Sequence, residues 1–409
     1  MNIQSRFVLF FRPNIISVLL FTILVQICSA QEQVEHEPLF PVVLEQRFIE
    51  SEETFKEIKD LILENYYSDK INEEALYWAA IQGMLRHISP PDNPGLSKIW
   101  TPEQYDTVFN SLMGVKVSIG IKSSFNSNEG SLTVAEVLPG SPAESILEPF
   151  DRILRIDSHK LKGKSAEEVN NLLKGKEGTE VTLTVNRDLK IFDIKLKRLE
   201  FETNPLIVTR LTNNILLVEI KKFTVNISNK LRIELDEPEN AGCTGLIIDL
   251  RNNTGGVFAE SLRVTELFLK KQSILLKTLQ RDDLQNYVSS NIKPSDFQIA
   301  ILVNSKTASS SEILASSLQD HQKAVIIGTR TFGKGVFEKT FTVRNNYRVK
   351  FITGAMYSPK GISWQGKGIT PDFLVKQDEN TLKTLLKMAP GQRLHKDVSM
   401  ITAFKLLTR

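Results

Sequence analysis

A serine-rich segment in the last third of the sequence could supply a nucleophile. The segment Thr307–Glu312 (TASSSE), with Ser309 at its centre, follows an apolar run and precedes a helical pattern. A nucleophile at a strand-to-helix turn is exposed at the edge of a sheet, where the first N–H groups of the helix can stabilise an oxyanion. Serine, threonine and glutamate are also what an ordinary helix N-cap requires. By itself, this segment therefore indicates a helix start more strongly than a catalytic site.

A lysine further along the chain could act as the base that a serine nucleophile needs. Lys334 follows Ser309 by 25 positions and stands between two glycines in the segment TFGKG. A serine hydroxyl attacks an amide only when a neighbouring base takes its proton. A lysine serves as that base only in its neutral form, which burial in an apolar pocket favours. Alone, however, a loop lysine is more typical of a solvated surface.

Two adjacent glycines upstream could bind the oxygen of a substrate carbonyl. Gly255 and Gly256 end the segment DLRNNTGG, which begins at Asp249 as an apolar strand ends. Without side chains, their backbone N–H groups can closely approach a ligand. Histidine occurs only five times and in no triad-like setting, and no HExxH motif or Cys/His cluster indicates a metal site. The sequence predicts no metal and no other cofactor.

Together, these three segments resemble the carboxyl-terminal processing, or tail-specific, proteases. The blocks that carry the resemblance are LIIDLRNNTGG (246–256), ILVNSKTASSSEIL (301–314), GTRTFGKG (328–335) and GKGITPDFLV (366–375). The resemblance implies that Ser309 is the nucleophile and Lys334 the general base. It also implies that the N–H groups of Ser310 and of Gly255 or Gly256 form the oxyanion hole. A serine endopeptidase that cleaves proteins near their C-termini is therefore expected.

One position departs from the pattern of this family. Glutamine usually stands four residues after the lysine, whereas this sequence has Glu338, which we include among the catalytic residues. A carboxylate beside Lys334 favours the charged ammonium, by about 4 kcal/mol at ~4 Å and an effective dielectric constant of about 20. We expect Glu338 to be protonated, turned away or buffered by another cation, or else the enzyme to be slow. The alternative is a weak or inactive homologue that serves as a peptide-binding scaffold.

The middle of the chain resembles a PDZ domain, from about Gly114 to Leu199. PDZ domains bind the C-terminus of another chain as an added strand and hold its carboxylate with backbone N–H groups. The loop Ser118-Ile119-Gly120-Ile121 matches the carboxylate-binding position, with serine where glycine is usual. The signature that should follow the SPAE block (141–144) keeps only Asp151. We consider two roles for this PDZ-like region. It either binds the C-terminal segments of other chains, or it has a structural or gating role.

Periodicity predicts the elements around these segments. Continuous apolar strands at Ile215–Ile220, Gly245–Leu250, Ile299–Val303 and Lys323–Gly328 alternate with helices at Ala259–Lys270 and Ser310–Leu318. Strands that are buried on both faces indicate a mixed, mostly parallel sheet and an α/β fold class. In the PDZ-like region, Val115–Ile121 is predicted as one strand, and Ser165 as the N-cap of a short helix with Glu168 at the capping-box position.

The order of these patterns predicts the domain organisation. A basic start, an uncharged apolar run and small residues before Gln31 indicate a signal peptide over residues 1–30, with a permanent anchor and a lipid on Cys28 as alternatives. Export to a bacterial periplasm or cell envelope is expected. A linker and helical segment (31–112), an inserted PDZ-like domain (113–200), an α/β protease core (201–390) and a C-terminal tail or helix (391–409) follow.

Composition limits the classes of partner. The 409 residues carry 51 basic and 48 acidic side chains, and a net charge of +3 argues against a dedicated nucleic-acid binder. After the signal, Cys243 is the single cysteine, so no internal disulfide is expected. The expected partners are protein or peptide substrates that present C-terminal segments. The sequence leaves open whether the protein associates peripherally with a membrane and whether it forms a homo-oligomer.

Overall fold

The computed structural model describes residues 51–68, 70–91, 93–386 and 388–408. The expected signal peptide lies outside these residues. The described residues up to Ile81 form one compact unit, and those from Gln82 onward form a second, which contains the candidate site. In the first unit, the ammonium group of Lys59 binds Asp60 and lies 5.4 Å from the centre of the Tyr77 ring.

The described residues contain ten α-helices and nineteen strands, and the strands and helices predicted for the core occur among them in the predicted order. The helices are α1 (Ser51–Asn65), α2 (Glu73–His87), α3 (Pro102–Met113), α4 (Ala166–Leu173), α5 (Ile227–Asp236), α6 (Phe258–Glu266), α7 (Ser310–Asp320), α8 (Glu379–Leu385), α9 (Pro390–Arg393) and α10 (Val398–Leu407). The first nine strands are β1 (Lys98–Trp100), β2 (Val115–Ser118), β3 (Ile121–Asn126), β4 (Ser131–Val137), β5 (Arg152–Ile156), β6 (His159–Lys160), β7 (Glu180–Arg187), β8 (Lys190–Lys197) and β9 (Leu199–Glu202). The others are β10 (Leu206–Arg210), β11 (Ile215–Ile220), β12 (Gly245–Asp249), β13 (Ile274–Gln280), β14 (Asp283–Val288), β15 (Gln298–Val303), β16 (Ala324–Gly328), β17 (Val336–Thr342), β18 (Arg348–Tyr357) and β19 (Phe373–Leu374).

The core is a sheet of order β10-β11-β12-β15-β16-β19. Every neighbouring pair from β11 to β19 is parallel, and only β10 runs antiparallel to β11. The predicted mostly parallel α/β sheet is confirmed. Its strands are continuously apolar because alternate residues pack on opposite faces. Leu246 and Ile248 face α5, α6 and α7 on one side, whereas Ile247 packs with Met400 of α10 on the other.

A second sheet, which the sequence patterns did not reveal, is built largely from segments that lie between the core strands in the chain. Its order is β1-β18-β13-β14, with β17 paired to β18 in an antiparallel hairpin. Strand β17 starts two residues after Lys334. This sheet therefore carries the residues that follow the candidate base.

The PDZ-like region folds as a sheet of order β3-β4-β5-β7-β8, with α4 capped by Ser165 and Glu168 as predicted. Strand β2 pairs with β9, so the chain enters and leaves this region through neighbouring strands. The single strand predicted over Val115–Ile121 is wrong, because the chain breaks it into β2 and β3 at Gly120. That glycine has a φ of +85°, and a Cβ there would lie 1.9 Å from the Ser141 side chain.

Candidate active site

Ser309 lies at the carboxyl end of the core strands, immediately before α7. Strand β15 ends at Val303, and the loop that follows places Ser309 at the N-cap position. Its φ of 56° and ψ of −117° are rare for a residue with a side chain. Such a conformation persists only where the surroundings enforce it, as they often do at functional sites.

The buried carboxylate of Glu312 provides that enforcement. Its Oε2 accepts hydrogen bonds from the main-chain N–H of Ser309 at 2.9 Å and of Lys334 at 2.8 Å. Its Oε1 accepts from the N–H of Gly333 at 2.7 Å and from the hydroxyl of Thr331 at 2.6 Å. Burial raises the pKa of Glu312, while these four hydrogen bonds act to lower it. One side chain therefore ties the loop of the candidate nucleophile to the loop of the candidate base.

Sequence reasoning identified Glu312 only as a residue suited to a helix start. Its position three residues after Ser309 satisfies the carboxylate half of a capping box, which is the local signal that drew attention to it. The other three donors lie 19 to 22 positions away in the chain. No local pattern contains that information.

The two glycines beside Lys334 allow other main chain to pack closely against it. A Cβ on Gly333 would lie 2.8 Å from the nitrogen of Gly368, and one on Gly335 would lie 2.7 Å from the nitrogen of Gln365. The carbonyl of Lys334 also accepts a hydrogen bond from the Trp364 indole at 3.0 Å. The loop after β18 thus fixes the main chain of Lys334.

The side chain of Lys334 forms an ion pair with Glu338. Its Nζ lies 2.7 Å from Glu338 Oε1, and the same oxygen lies 3.2 Å from Nζ of Lys350. One of the arrangements expected for Glu338 was a carboxylate buffered by a second cation. The structure has this arrangement, and the second cation is Lys350. Lys350 was not singled out from the sequence, since it comes from the opposite strand of the β17–β18 hairpin.

The glycine pair lies directly against the serine loop. A Cβ on Gly255 would lie 2.9 Å from Ser309 Cβ, and one on Gly256 would lie 2.0 Å from the carbonyl oxygen of Phe223. The N–H of Gly255 donates to Asn253 Oδ1 at 2.8 Å. Because this hydrogen bond engages Gly255, the geometry favours Gly256 over Gly255 as an oxyanion donor. Ser310, at the first helical position of α7, is the second candidate.

Asn253 is a further residue that sequence reasoning did not identify. Its side chain is fully buried and donates to the Ile220 carbonyl at 2.7 Å, while its own main-chain carbonyl accepts from the Ala308 N–H at 3.0 Å. The hydroxyl of Ser311 donates to the same carbonyl at 3.1 Å. Asn253 therefore joins the glycine segment to the start of α7.

A buried ionic network holds the start of the segment DLRNNTGG in place. Asp249 Oδ2 lies 2.7 Å from Arg251 Nη2, which also lies 2.7 Å from Asp397 Oδ2. Burial alone would raise the pKa of Asp249, but the guanidinium of Arg251 holds it below its usual range. Arg393 pairs with Glu219 at 2.8 Å and lies 3.8 Å from Asp249. The C-terminal residues thus belong to the support of the candidate site.

The PDZ-like region offers an edge strand, but its candidate carboxylate-binding loop is partly engaged. Among the described residues, strand β3 pairs with β4 on one side and ends the order of its sheet, so its other side can accept an added strand. At the start of that strand, the N–H of Gly120 donates to Ser118 Oγ at 3.0 Å. Ile119 is buried, and Ile121 pairs with Val137. The serine that replaces the usual glycine therefore occupies one of the N–H groups that would bind a carboxylate.

Neither a metal cluster nor a membrane-spanning helix is found in the described part of the chain. Within the described ranges, no group of three His, Cys, Asp or Glu side chains could hold a metal ion. In the same residues, no helix combines the length and the hydrophobicity needed to cross a membrane.

Comparison with known proteins identifies two matched regions. Residues 214–375 match the model of peptidase family S41, and residues 117–197 match that of the PDZ domain. A probable CtpA-like serine protease of Staphylococcus haemolyticus (strain JCSC1435) is 30% identical over 314 residues, covering 76% of this chain. One from Staphylococcus aureus (strain MRSA252) is 31% identical over 318 residues, covering 77% of this chain. The chain spans 62% and 63% of the length of these two relatives.

Solved structures show the same fold. The photosystem II D1 C-terminal processing protease matches with a TM-score of 0.50 and 22% identity, over 85% of this chain and 100% of that one. A putative S41 protease from Bacteroides fragilis NCTC 9343 matches with a TM-score of 0.57 and 15% identity, over 86% and 96% of the two chains. The fold that the resemblance to carboxyl-terminal processing proteases implied is thereby confirmed.

Proposed function

We propose that this chain, which carries a peptidase family S41 domain and a PDZ domain, is a serine endopeptidase in which Ser309 is the nucleophile and Lys334 the general base. The observation that carries the proposal is the clamp formed by Glu312. Its Oε2 binds the main-chain N–H of both residues, at 2.9 and 2.8 Å. A nucleophile and a base must be held in a fixed relation to react efficiently, and this carboxylate provides that relation.

The proposed reaction is acyl transfer in two steps. Ser309 Oγ attacks the carbonyl carbon of the scissile amide, and its proton passes to the neutral amine of Lys334. The N–H groups of Gly256 and Ser310 stabilise the oxyanion that forms. The C–N bond then breaks, and Lys334 gives its proton to the leaving amine. Water hydrolyses the acyl-enzyme with Lys334 again acting as the base, which regenerates the Ser309 hydroxyl.

The proposed substrates are proteins or peptides cleaved near their C-termini. The name of one structural neighbour, the photosystem II D1 C-terminal processing protease, supports this class. In this proposal the PDZ domain receives an extended segment at the edge of β3 that pairs with no strand of the described ranges, and it thereby binds the substrate or gates the site. Export to a bacterial envelope is part of the proposal and rests on the sequence of residues 1–30. N-terminal sequencing of the mature protein tests it, with Gln31 as the expected first residue.

Cleavage of casein or of a C-terminally tagged protein tests the dyad. We expect Ser309→Ala and Lys334→Ala to abolish cleavage and to leave the folded state intact. Ser305→Ala is a matched control, because this exposed serine lies in the loop before the nucleophile, and it should cleave like the wild type. Cleavage by Ser309→Ala at the wild-type rate would refute the proposal.

A peptide-binding scaffold is the second candidate function. The 2.7 Å pair between Lys334 and Glu338 favours it, since a carboxylate at that distance stabilises the charged lysine. A scaffold would bind peptides equally well with serine or alanine at position 309 and would cleave neither casein nor tagged proteins. Binding without any cleavage across a broad pH range would favour the scaffold over the protease.

A further inference from the structure

The carboxylate of Glu338 lies between two lysines in a partly enclosed setting. Its Oε1 lies 2.7 Å from Lys334 Nζ and 3.2 Å from Lys350 Nζ. The exposed fractions of the three side chains are 10% for Glu338, 19% for Lys334 and 24% for Lys350. Solvent therefore screens these charges less than it screens ion pairs on an open surface.

The hairpin of β17 and β18 determines this arrangement. Glu338 is opposite Ile352, and Thr340 is opposite Lys350, so Glu338 and Lys350 are diagonal neighbours on one face of the sheet. The pairing shifts register between Phe337 and Glu338, an irregularity of the kind that re-aims a side chain. The two side chains are thus directed to each other by the sheet itself.

The aromatic ring of Trp100 also holds Lys350 in place. The Nζ of Lys350 lies 5.7 Å from the ring centre, within the range of a cation–π interaction. Trp100 belongs to β1, which pairs with β18 on the side opposite β17. Elements on both sides of β18 therefore fix the position of this ammonium group.

The charges of Glu338 and its two lysine neighbours bear on whether Lys334 can act as a base. A base must be neutral before it takes a proton, and a lone carboxylate next to Lys334 would retain the proton on the amine. With Lys350 present, Glu338 already has a cationic partner, and the pair of Glu338 and Lys350 has no net charge. We propose that Lys350 is a positioning residue that neutralises Glu338, so that Lys334 can act as the base. This inference rests on the proposed dyad of Ser309 and Lys334.

Other charged groups near these three side chains have partners of their own or add positive charge. Lys98 on β1 is the register partner of Lys350, and its Nζ lies 6.0 Å from the Trp100 ring centre, so it adds positive charge on that side. Glu312 on α7 binds the main-chain N–H of Lys334. Lys339, next to Glu338 on β17, donates instead to Gln280 at 3.0 Å, and Arg348 lies 5.3 Å from the Tyr105 ring centre.

The test compares pH profiles of kcat/KM for variants at positions 350 and 338. Lys350→Met should lower kcat/KM at pH 7 by about 10- to 100-fold and move the rise of activity to higher pH by about one to two units. Lys350→Arg keeps the charge and should stay within about threefold of the wild type. Lys339→Met removes a neighbouring exposed lysine and should leave the profile unchanged.

The decisive comparison is made in the Glu338→Gln background. Without the carboxylate there is nothing for Lys350 to neutralise, so adding Lys350→Met to Glu338→Gln should change kcat/KM by less than about threefold. This double variant also guards against misfolding, since it leaves no unpaired carboxylate. An equal loss in both backgrounds, or an unchanged pH profile in Lys350→Met, would overturn the inference. If Ser309→Ala still cleaves, the dyad itself has failed; if only Lys350→Met behaves like the wild type, the dyad stands without this inference.

Discussion

Replacing Glu312 by glutamine tests whether one carboxylate holds the candidate nucleophile and base together. The substitution preserves the shape of the side chain but removes its charge and one acceptor oxygen. In the native protein, Oε1 accepts from Thr331 and Gly333, and Oε2 accepts from Ser309 and Lys334. A glutamine amide can accept only through its oxygen, so its NH2 group would face two donors. Two hydrogen bonds are lost if the NH2 group faces Ser309 and Lys334, and one is lost if it faces Gly333 and Thr331, because the Thr331 hydroxyl can turn to accept.

The size of the effect follows from the number of lost hydrogen bonds. Hydrogen bonds to a charged group contribute about 1.5–3 kcal/mol each, so the loss of one or two of them amounts to about 1.5–6 kcal/mol of unfolding free energy. A typical domain has about 5–15 kcal/mol in total, so the variant should fold but with a lower denaturant midpoint. If the freed loops move by about 1 Å, kcat should fall by about 100-fold. We expect both effects together.

Glu260→Gln is the matched control for this change. Glu260 is also a buried glutamate at a helix start, and it accepts from the Ser228 N–H at 3.0 Å and from Arg263 at 2.6 Å. Its loss should lower stability and leave kcat of the folded enzyme within about twofold of the wild type. Urea unfolding and peptide cleavage, both measured where each variant is folded, separate the two effects. If Glu312→Gln has the kcat of the wild type, Glu312 does not hold Ser309 and Lys334 in their reactive relation. This conclusion would hold however much the stability of the variant had fallen.

Three further predictions concern the PDZ-like loop, the buried network and the glycine pair. Ser118→Ala should free the N–H of Gly120 and tighten binding of a peptide with a free C-terminal carboxylate, whereas Ser118→Thr should not; equal affinities by fluorescence anisotropy would contradict this. Asp249→Asn removes one carboxylate from the buried network, in which Arg251 keeps Asp397 and Arg393 keeps Glu219, and should cost up to about 3–5 kcal/mol of unfolding free energy at pH 7. Because the folded-state pKa of Asp249 is lowered, its contribution is present above about pH 4 and is lost as pH falls through the folded value, so the two urea midpoints should converge in acid. Parallel midpoints at all pH values would argue against this. Gly256→Ala would place a Cβ 2.0 Å from the carbonyl of Phe223 and should lower kcat by about 100-fold or more, and an unchanged kcat would exclude this glycine from the oxyanion hole.

Much of the core could be read from the sequence because it depends on local patterns. Strand β11 spans Ile215–Ile220 as predicted, and β12, β15 and β16 differ from their predicted bounds by one residue at one end. Continuous apolar runs of this length indicate strands buried on both faces, and the capping box at Ser165 marks a helix start. The helix predicted over Ala259–Lys270 ends earlier, at Glu266, since helix ends depend on contacts that periodicity does not contain.

The sequence by itself placed Ser309, Lys334 and the glycine pair after apolar strands, and its resemblance to a known family made them the candidate site residues. Only the tertiary structure decided how these residues are held and what charge surrounds them. The donors to Glu312 come from a loop up to 22 positions away, and Lys350 reaches Glu338 across a hairpin whose register includes an irregularity. Periodicity encodes which face of an element is apolar, whereas hydrogen bonds between loops depend on where whole elements pack. For that reason the candidate site residues were visible in the sequence, whereas the Glu312 carboxylate that binds both loops and the lysine beside Glu338 were not.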